Sequence, residues 1–319
     1  MVIDRLPTAV TRATRIGAAA LLALAPWLWF AVRHGLGWLS DVAWTVLPAL
    51  AAAIVLAAVL LRRWWPLRAL AVSLVVLTVV AVVLPWTPAD RGPVAPGTGV
   101  RVVGANVTER ADAAATLVGL APDVLVVTEM AGGLSAPLSA AYPHRFWDSG
   151  SPGVAVYSRL PLRVTEISGP DLPGVRAEVD GPAGTFVLYA LHVPRPWWTA
   201  NGGYQVTAPE HSRLIDVLAR RVAAERLPVV MVGDLNTPDR TADFHRLLTA
   251  GGLVDAGRAG WAGPTSVGQW APLLVRIDHV LVTQGWCGDD PARLALTRSD
   301  HSAVVATVGP CAGNSRAVD

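Results

Sequence analysis

Three uncharged apolar stretches follow one another within the first 88 residues, at 16–32, 42–61 and 69–88. At 1.5 Å of helical rise per residue each covers roughly 26–30 Å, close to a hydrocarbon core of ~30 Å. Buried helices of a soluble protein seldom run twenty residues without a charge, and here two stretches do so. A secretory signal accounts for the first alone, but LLALAPWLWFAV lacks a convincing cleavage site and two more stretches follow. The reading is a membrane region over 1–88 with three transmembrane helices.

Arginine placement sets its expected orientation. Arg5, Arg12 and Arg15 precede the first stretch, and Arg62, Arg63 and Arg68 separate the second from the third. Only Arg33 and His34 open the intervening loop. Basic segments stay in the cytoplasm, so the N-terminus is expected there and everything after Pro88 outside the cell membrane. Trp27, Trp29, Trp38, Trp44, Trp64, Trp65 and Trp86 lie near the ends of the stretches, where indole rings favour the interface. The Pro/Gly-rich segment TPADRGPVAPGTG (87–99) reads as a connection, with 89–99 as linker and 100–319 as a globular domain.

Charge divides along the same line. Residues 1–90 carry seven Arg against Asp4, Asp41 and Asp90, a net +4. The remainder carries 19 Arg against 21 acids, a net −2, and the chain has no Lys. The globular part therefore has no net basic charge with which to grip a polyanion. Two cysteines, Cys287 and Cys311, are too few for a disulfide framework or a thiolate zinc site. In an oxidising compartment they are expected to pair with each other.

Strand and helix patterns alternate after residue 100. VRVVGANV (100–107), DVLVVTE (123–129), GVAVYS (153–158), VTEIS (164–168), VRAEV (175–179) and TFVLYALHV (185–193) read as strands. An Ala-rich helix is expected over 111–120, and an amphipathic one over 209–226 with Leu214, Val217, Leu218 and Val222 on one face. In LPVVMVGDLN the run 229–232 reads as a buried strand. Gly233 then lets the backbone turn, and Asp234 and Asn236 emerge on one side. RIDHVLV (276–282), ARLAL (292–296) and HSAVVATV (301–308) complete the set. Hairpins mixed with crossovers suggest an α/β sandwich rather than a wholly parallel sheet.

Several strands end in a polar residue: Asn106, Glu129, His192, Asp234 with Asn236, and Asp278. Asp300 and His301 open the last one. Any one of these is explained by a surface turn or cap. Together they matter, because equivalent strand ends converge on one rim of a sandwich.

The ordered run formed by the Asn of VVGANV, the Glu of PDVLVVTE, GVAVYSRLPL, the His of ALHVP, GDLN, RIDHVL and SDH resembles the endonuclease/exonuclease/phosphatase superfamily, over roughly 100–309. The resemblance implies a four-layer α/β sandwich, two mixed β-sheets flanked by helices. It also implies hydrolysis of a phosphate ester with a divalent metal, Mg²⁺ or Mn²⁺. By motif, Glu129, Asn106 and Asp300 lie at the metal. Asp234 orients or deprotonates the attacking water, Asn236 contacts the phosphate, His192 and His301 hydrogen-bond phosphoryl oxygens, and Asp278 orients His301. Thr128 departs from the family, which often has Gln before the Glu. By architecture, three spans ahead of such a domain look like the membrane-bound members associated with glycopeptide-antibiotic resistance.

The residue chemistry is compatible with those roles. Mg²⁺ prefers oxygen ligands and keeps several waters, which one Glu with nearby Asn and Asp suits better than it would suit zinc. No Ser or Cys stands in a nucleophile's setting. Arg195 and Arg276, beside HVP and RIDHV, are expected to hold one or two phosphates. The expected protein is a membrane-anchored extracytoplasmic phosphoesterase, acting on a phosphorylated substrate, small or lipid-linked, at the lipid bilayer. An extracytoplasmic nuclease and a binding domain without catalysis are the alternatives, nucleic acid being the less favoured partner. Oligomeric state and substrate identity stay open, and the loop HVPRPWWTANGGY (192–204) is expected either to contact substrate or to pack Trp197 and Trp198 at the interface.

Overall fold

The computed structural model describes residues 8–313 except 62–64, 90, 110–112, 131, 151–152, 198–202 and 267–274, with backbone alone at 8–11 and 40–49. Arg5, Arg62, Arg63 and Trp198 fall outside the described residues. The chain forms two compact units, 1–85 and 86–319.

The first unit consists of helices α1 (Thr8–Val32), α2 (Trp38–Leu60) and α3 (Trp65–Val83). Ser73 of α3 joins α1 by donating to the Ala23 carbonyl (2.6 Å) and accepting from Trp27 Nε1 (3.0 Å). Leu21, Leu28 and Leu60 are about 70 % exposed, which a water-facing helix would not favour. The sequence expects three spans. Among the described residues two segments are long and apolar enough to cross a membrane, Arg12–Leu36 and Trp65–Trp86. α2 contributes only the shorter apolar stretch Leu50–Leu60, its side chains at 40–49 lying outside the description.

The second unit contains two six-stranded mixed sheets. The first places β1 (Val100–Asn106) parallel to β2 (Val124–Thr128). β14 (Ser302–Pro310) and β13 (Trp286–Ala295) lie on one side, and β4 (Ala155–Ser158) and β3 (His144–Trp147) on the other. The second places β10 (Val229–Asp234) parallel to β7 (Gly184–His192). β12 (Asp278–Thr283) and β11 (Leu253–Asp255) extend it one way, β6 (Gly174–Gly181) and β5 (Leu162–Glu166) the other. A short parallel pair, β8 (Arg195–Trp197) and β9 (Gln205–Thr207), lies in the loop that follows His192.

Strand alternation builds the layers. Val102, Val126, Leu188, Val230 and Val280 point between the sheets and make the central core. Their neighbours Val103, Leu125 and Val127 face outward, under helices α4 (Ala114–Gly119) and α5 (Gly132–Ala141), with Leu117, Leu134 and Leu138. Val187, Tyr189, Val229 and Met231 face the other way, under α6 (Ala208–Ala223) and α7 (Ala242–Gly251), with Ile215, Leu218, Phe244 and Leu247. Helix, sheet, sheet, helix is the four-layer sandwich expected. The central strands are apolar on both faces because each is covered on both.

Residues 86–89 and 91–95, placed by sequence partly in the linker, are folded onto this unit. Ala262 N donates to Trp86 O (3.0 Å), Ala89 N to Arg258 O (2.7 Å) and Ala95 N to Pro310 O (2.8 Å). Cys287 and Cys311 are bonded, tying β13 to the residue after β14 with their Cα atoms 5.0 Å apart.

Candidate active site

Register brings the polar strand ends together. In the second sheet His192, Asp234 and Asp278 occupy one rung, since Asp234 of β10 pairs with His192 of β7 on one side and Asp278 of β12 on the other. In the first sheet Asn106 ends β1 opposite Thr128, and Glu129 follows. Gly233 is required beside the rung. Its φ is +139°, and a Cβ there would lie 1.9 Å from the Leu191 carbonyl oxygen.

Asn106 joins the sheets. Its Nδ2 donates to Glu129 Oε1 and to Asp234 Oδ2, each at 3.0 Å. Asp234 Oδ1 accepts from the Asn236 amide (2.9 Å), closing an Asx turn that stands Asn236 at φ +46°. The Asn236 side chain donates one N–H to Val193 O (2.9 Å) and keeps a second. Glu129 also has positive φ, +52°, a conformation that costs roughly 1–3 kcal/mol and concentrates at functional positions.

Two imidazoles face the Asp234 carboxylate. His192 Nε2 lies 3.9 Å from Asp234 Oδ2 and 3.7 Å from Glu129 Oε1, while His301 Nε2 lies 3.8 Å from Asp234 Oδ2. His301 Nδ1 is 2.8 Å from Asp278 Oδ2. Burial alone would lower the His301 pKa, but Asp278 and Asp234 outweigh it and hold the group up at about 10. Burial raises Asp278, against the opposing pull of His301. Asp300, half-exposed, has Oδ1 4.0 Å from His301 Nε2 and accepts from Thr108 Oγ1 (3.0 Å).

The donor set fits a hard divalent cation. Glu129 and Asp300 offer partly exposed carboxylate oxygens, and the buried Asn106 offers an amide oxygen that also accepts from Thr108 N (3.0 Å). Asp234, Asp278 and His301 also approach closely enough to share an ion. The first set is the one expected by motif, and the second is the one whose ligand atoms all lie within 4.8 Å of one another.

The structure thus gathers Asn106, Glu129, His192, Asp234, Asn236, Asp278, Asp300 and His301 on one rim. Arg276 is a correction. It is 2 % exposed, with Nη2 donating to Asp255 Oδ1 (2.8 Å), Nη1 donating to Asp255 Oδ2, and Asp239 at 3.7 Å, so it cannot reach a substrate. A position next to the motif says nothing about facing, and this arginine points into the protein. Arg195 is exposed at the start of β8.

Sequence reasoning missed the supports. Ser299 Oγ donates to Asn106 O (2.9 Å) and accepts from His301 N (3.0 Å), and Thr265 Oγ1 accepts from the backbone of Ile277 and Asp278 (3.0 Å each). Tyr204 OH donates to His192 O (2.7 Å) and its ring lies 4.6 Å from the His192 ring. Burial raises the Tyr204 phenol, and the Asp234 charge adds to it. Thr237, just after Asn236, is held by His211 Nε2 at its hydroxyl (3.2 Å) and by His279 Nε2 at its carbonyl (3.1 Å). Only Ser299 carries a sequence signal, through its place in SDH.

The sequence model of the endonuclease/exonuclease/phosphatase family matches residues 103–301. No curated protein is significantly similar to the chain. Among solved structures, the catalytic domain of human Nocturnin with bound sulfate anion is 14 % identical with a TM-score of 0.51, covering 66 % of this chain and 94 % of that one. An endonuclease/exonuclease/phosphatase from Bacteroides vulgatus is 17 % identical with a TM-score of 0.50, covering 67 % and 99 %. Another from Beutenbergia cavernae is 22 % identical with a TM-score of 0.47, covering 67 % and 72 %. At these identities the first two structures speak for the fold alone.

Proposed function

Since the chain belongs to the endonuclease/exonuclease/phosphatase family, we propose that it is a membrane-anchored, extracytoplasmic, divalent-metal-dependent phosphoesterase, cleaving a phosphate ester or pyrophosphate of a small or lipid-linked substrate. The observation that carries this reading is the Asp234 carboxylate, 2 % exposed, surrounded by Asn106, His192 and His301. A buried carboxylate in that setting is poised to orient a water and take its proton. His301, kept protonated by Asp278 and Asp234, donates to a phosphoryl oxygen, as do His192 and the second N–H of Asn236. Asn106, Glu129 and Asp300 would hold Mg²⁺ or Mn²⁺, which when bound polarises the phosphoryl group as a Lewis acid.

Three observations support the finer parts. The apolar segments favour anchoring; the Arg placement, with the stretch 42–61 counted as a third crossing, favours the catalytic unit outside, and a disulfide favours an oxidising compartment. Arg163, Arg176, Arg213, Arg221, Arg246 and Arg276 are each paired with carboxylates. These are six of the 19 arginines after residue 90, and with 21 acids in the same part the net charge is unfavourable for the row of phosphate contacts by which a nuclease grips a polymer. The test is hydrolysis by the full chain in nanodiscs with Mg²⁺, across polyprenyl phosphates and pyrophosphates, phospholipids, DNA and RNA. Fast turnover of DNA or RNA with no turnover of lipid phosphates would replace this reading with the nuclease.

A further inference from the structure

Trp86, the last residue of the apolar segment Trp65–Trp86 and the first of the second unit, is held by a loop of that unit. Trp86 O accepts from Ala262 N (3.0 Å), Thr87 O from Arg258 Nε (2.9 Å), and Arg258 O from Ala89 N (2.7 Å). The Trp86 and Trp261 rings meet edge to face with centroids 6.1 Å apart. Trp261 is nonetheless 52 % exposed. Trp86 and the loop 256–262 therefore belong to one unit. Whatever depth Trp86 takes, the loop takes with it.

We infer that the loop 256–262 is seated in the lipid–water interface of the bilayer, with Trp261 as its anchor. The inference rests on the anchored reading above and names the surface by which the catalytic unit meets lipid. Interfacial placement suits a tryptophan with one apolar face exposed and a polar N–H, and it continues the position expected of Trp86. The loop also leads directly to the site. Thr265, four residues beyond Trp261, accepts from Ile277 N and Asp278 N and takes the amide of Ser302. Four residues of chain span no more than about 14 Å. A loop lying on the membrane therefore brings the Asp278–His301 pair within reach of a lipid headgroup while the active site stays in water.

The test uses the full chain in phosphatidylcholine/phosphatidylglycerol nanodiscs. Cys287 and Cys311 are bonded to each other, so a single introduced cysteine supplies one labelling site. An environment-sensitive fluorophore is placed at Trp261→Cys, at the exposed neighbour Ala259→Cys, and at Ile167→Cys, which follows β5 at the opposite edge of the second sheet. Lipid carrying a quencher near the headgroup is expected to cause a ~2-fold or greater loss of emission at 261 and 259 and no loss at 167. Equal quenching at all three sites, in protein that resists carbonate extraction, overturns the docking and leaves the anchoring intact. Shielding at 261 that depends on protein concentration and is insensitive to lipid quencher overturns it in favour of a second copy. Release of the chain by carbonate overturns the anchored reading, and the docking falls with it.

Discussion

Asp278 Oδ2 lies 2.8 Å from His301 Nδ1, although one residue opens a strand of the second sheet and the other precedes a strand of the first. The carboxylate fixes which ring nitrogen faces Asp234 and keeps the imidazole charged. Asp278→Asn is expected to lower kcat by at least ~10² with a smaller effect on KM, as are Asp234→Asn, Glu129→Ala and His301→Ala. Steady-state kinetics on a substrate from the panel checks it. Near-normal turnover in all four variants would sink the mechanism.

Removing divalent cations is expected to abolish hydrolysis, and Mg²⁺ or Mn²⁺ to restore it. Glu129→Ala should need more metal than the parent for half-maximal activity and stay slow at saturation. A titration after chelation reads both. Activity that survives chelation contradicts the proposed chemistry.

Stability should depend on pH through Asp239. Arg276 makes a bidentate pair with Asp255, and Asp239 is left as a surplus acid 3.7 Å away, its oxygens without a hydrogen bond among the described residues. Burial raises its pKa to about 6, with Arg276 and Arg240 opposing. The native state then binds the proton more tightly than the unfolded chain. The contribution of this group is full below the unfolded pKa and is lost as pH rises through about 6. Asp239→Asn should match the parent near pH 4 and exceed it at pH 7 by up to about 3 kcal/mol. Denaturant unfolding across that range is the measurement, and a constant difference would refute the assignment.

The two arginines singled out from sequence should separate cleanly. Arg276→Ala leaves Asp255 buried without its partner and should cost about 3–5 kcal/mol of stability. Arg195→Ala, at an exposed position, should leave stability within about 0.5 kcal/mol and raise KM. Thermal melts with kinetics distinguish them. A raised KM in a stable Arg276→Ala protein would restore the substrate role that its burial removes.

Cys287 and Cys311 close a loop with a sequence separation of 24, for which chain entropy gives about 3.5 kcal/mol. Replacing both by Ser should destabilise the catalytic unit by that order. Mass spectrometry of the folded protein without reductant should find no free thiol.

The rim was legible because each of its residues ends or begins an apolar run. Asn106, Glu129, His192, Asp234 and Asp278 all sit where a buried strand meets a polar turn. A period of two also separates Val102 from Val103 and so assigns the two cores. The supports were not legible. Thr265, Thr237 and Tyr204 act through hydroxyls delivered by loops, and a Thr or Tyr in a loop has no periodicity to mark it. The strand His144–Trp147 was missed because it alternates half-buried and exposed at a sheet edge, with no apolar run. Arg276 misled because sequence gives neighbours along the chain and not the direction of a side chain.

His192, Asp234 and Asp278 share one rung of a sheet, so the hydrogen-bond ladder acts as their ruler. Adjacent strands stand ~4.8 Å apart whatever their side chains. Substitutions elsewhere can stretch a loop or refill a core layer, but they cannot widen or narrow that interval without tearing the sheet. The reacting groups are thereby insulated from drift in the rest of the sequence. On the proposed function, selection for a new substrate falls on the segments leaving the rung, above all the one after His192, so that what is cleaved changes before how.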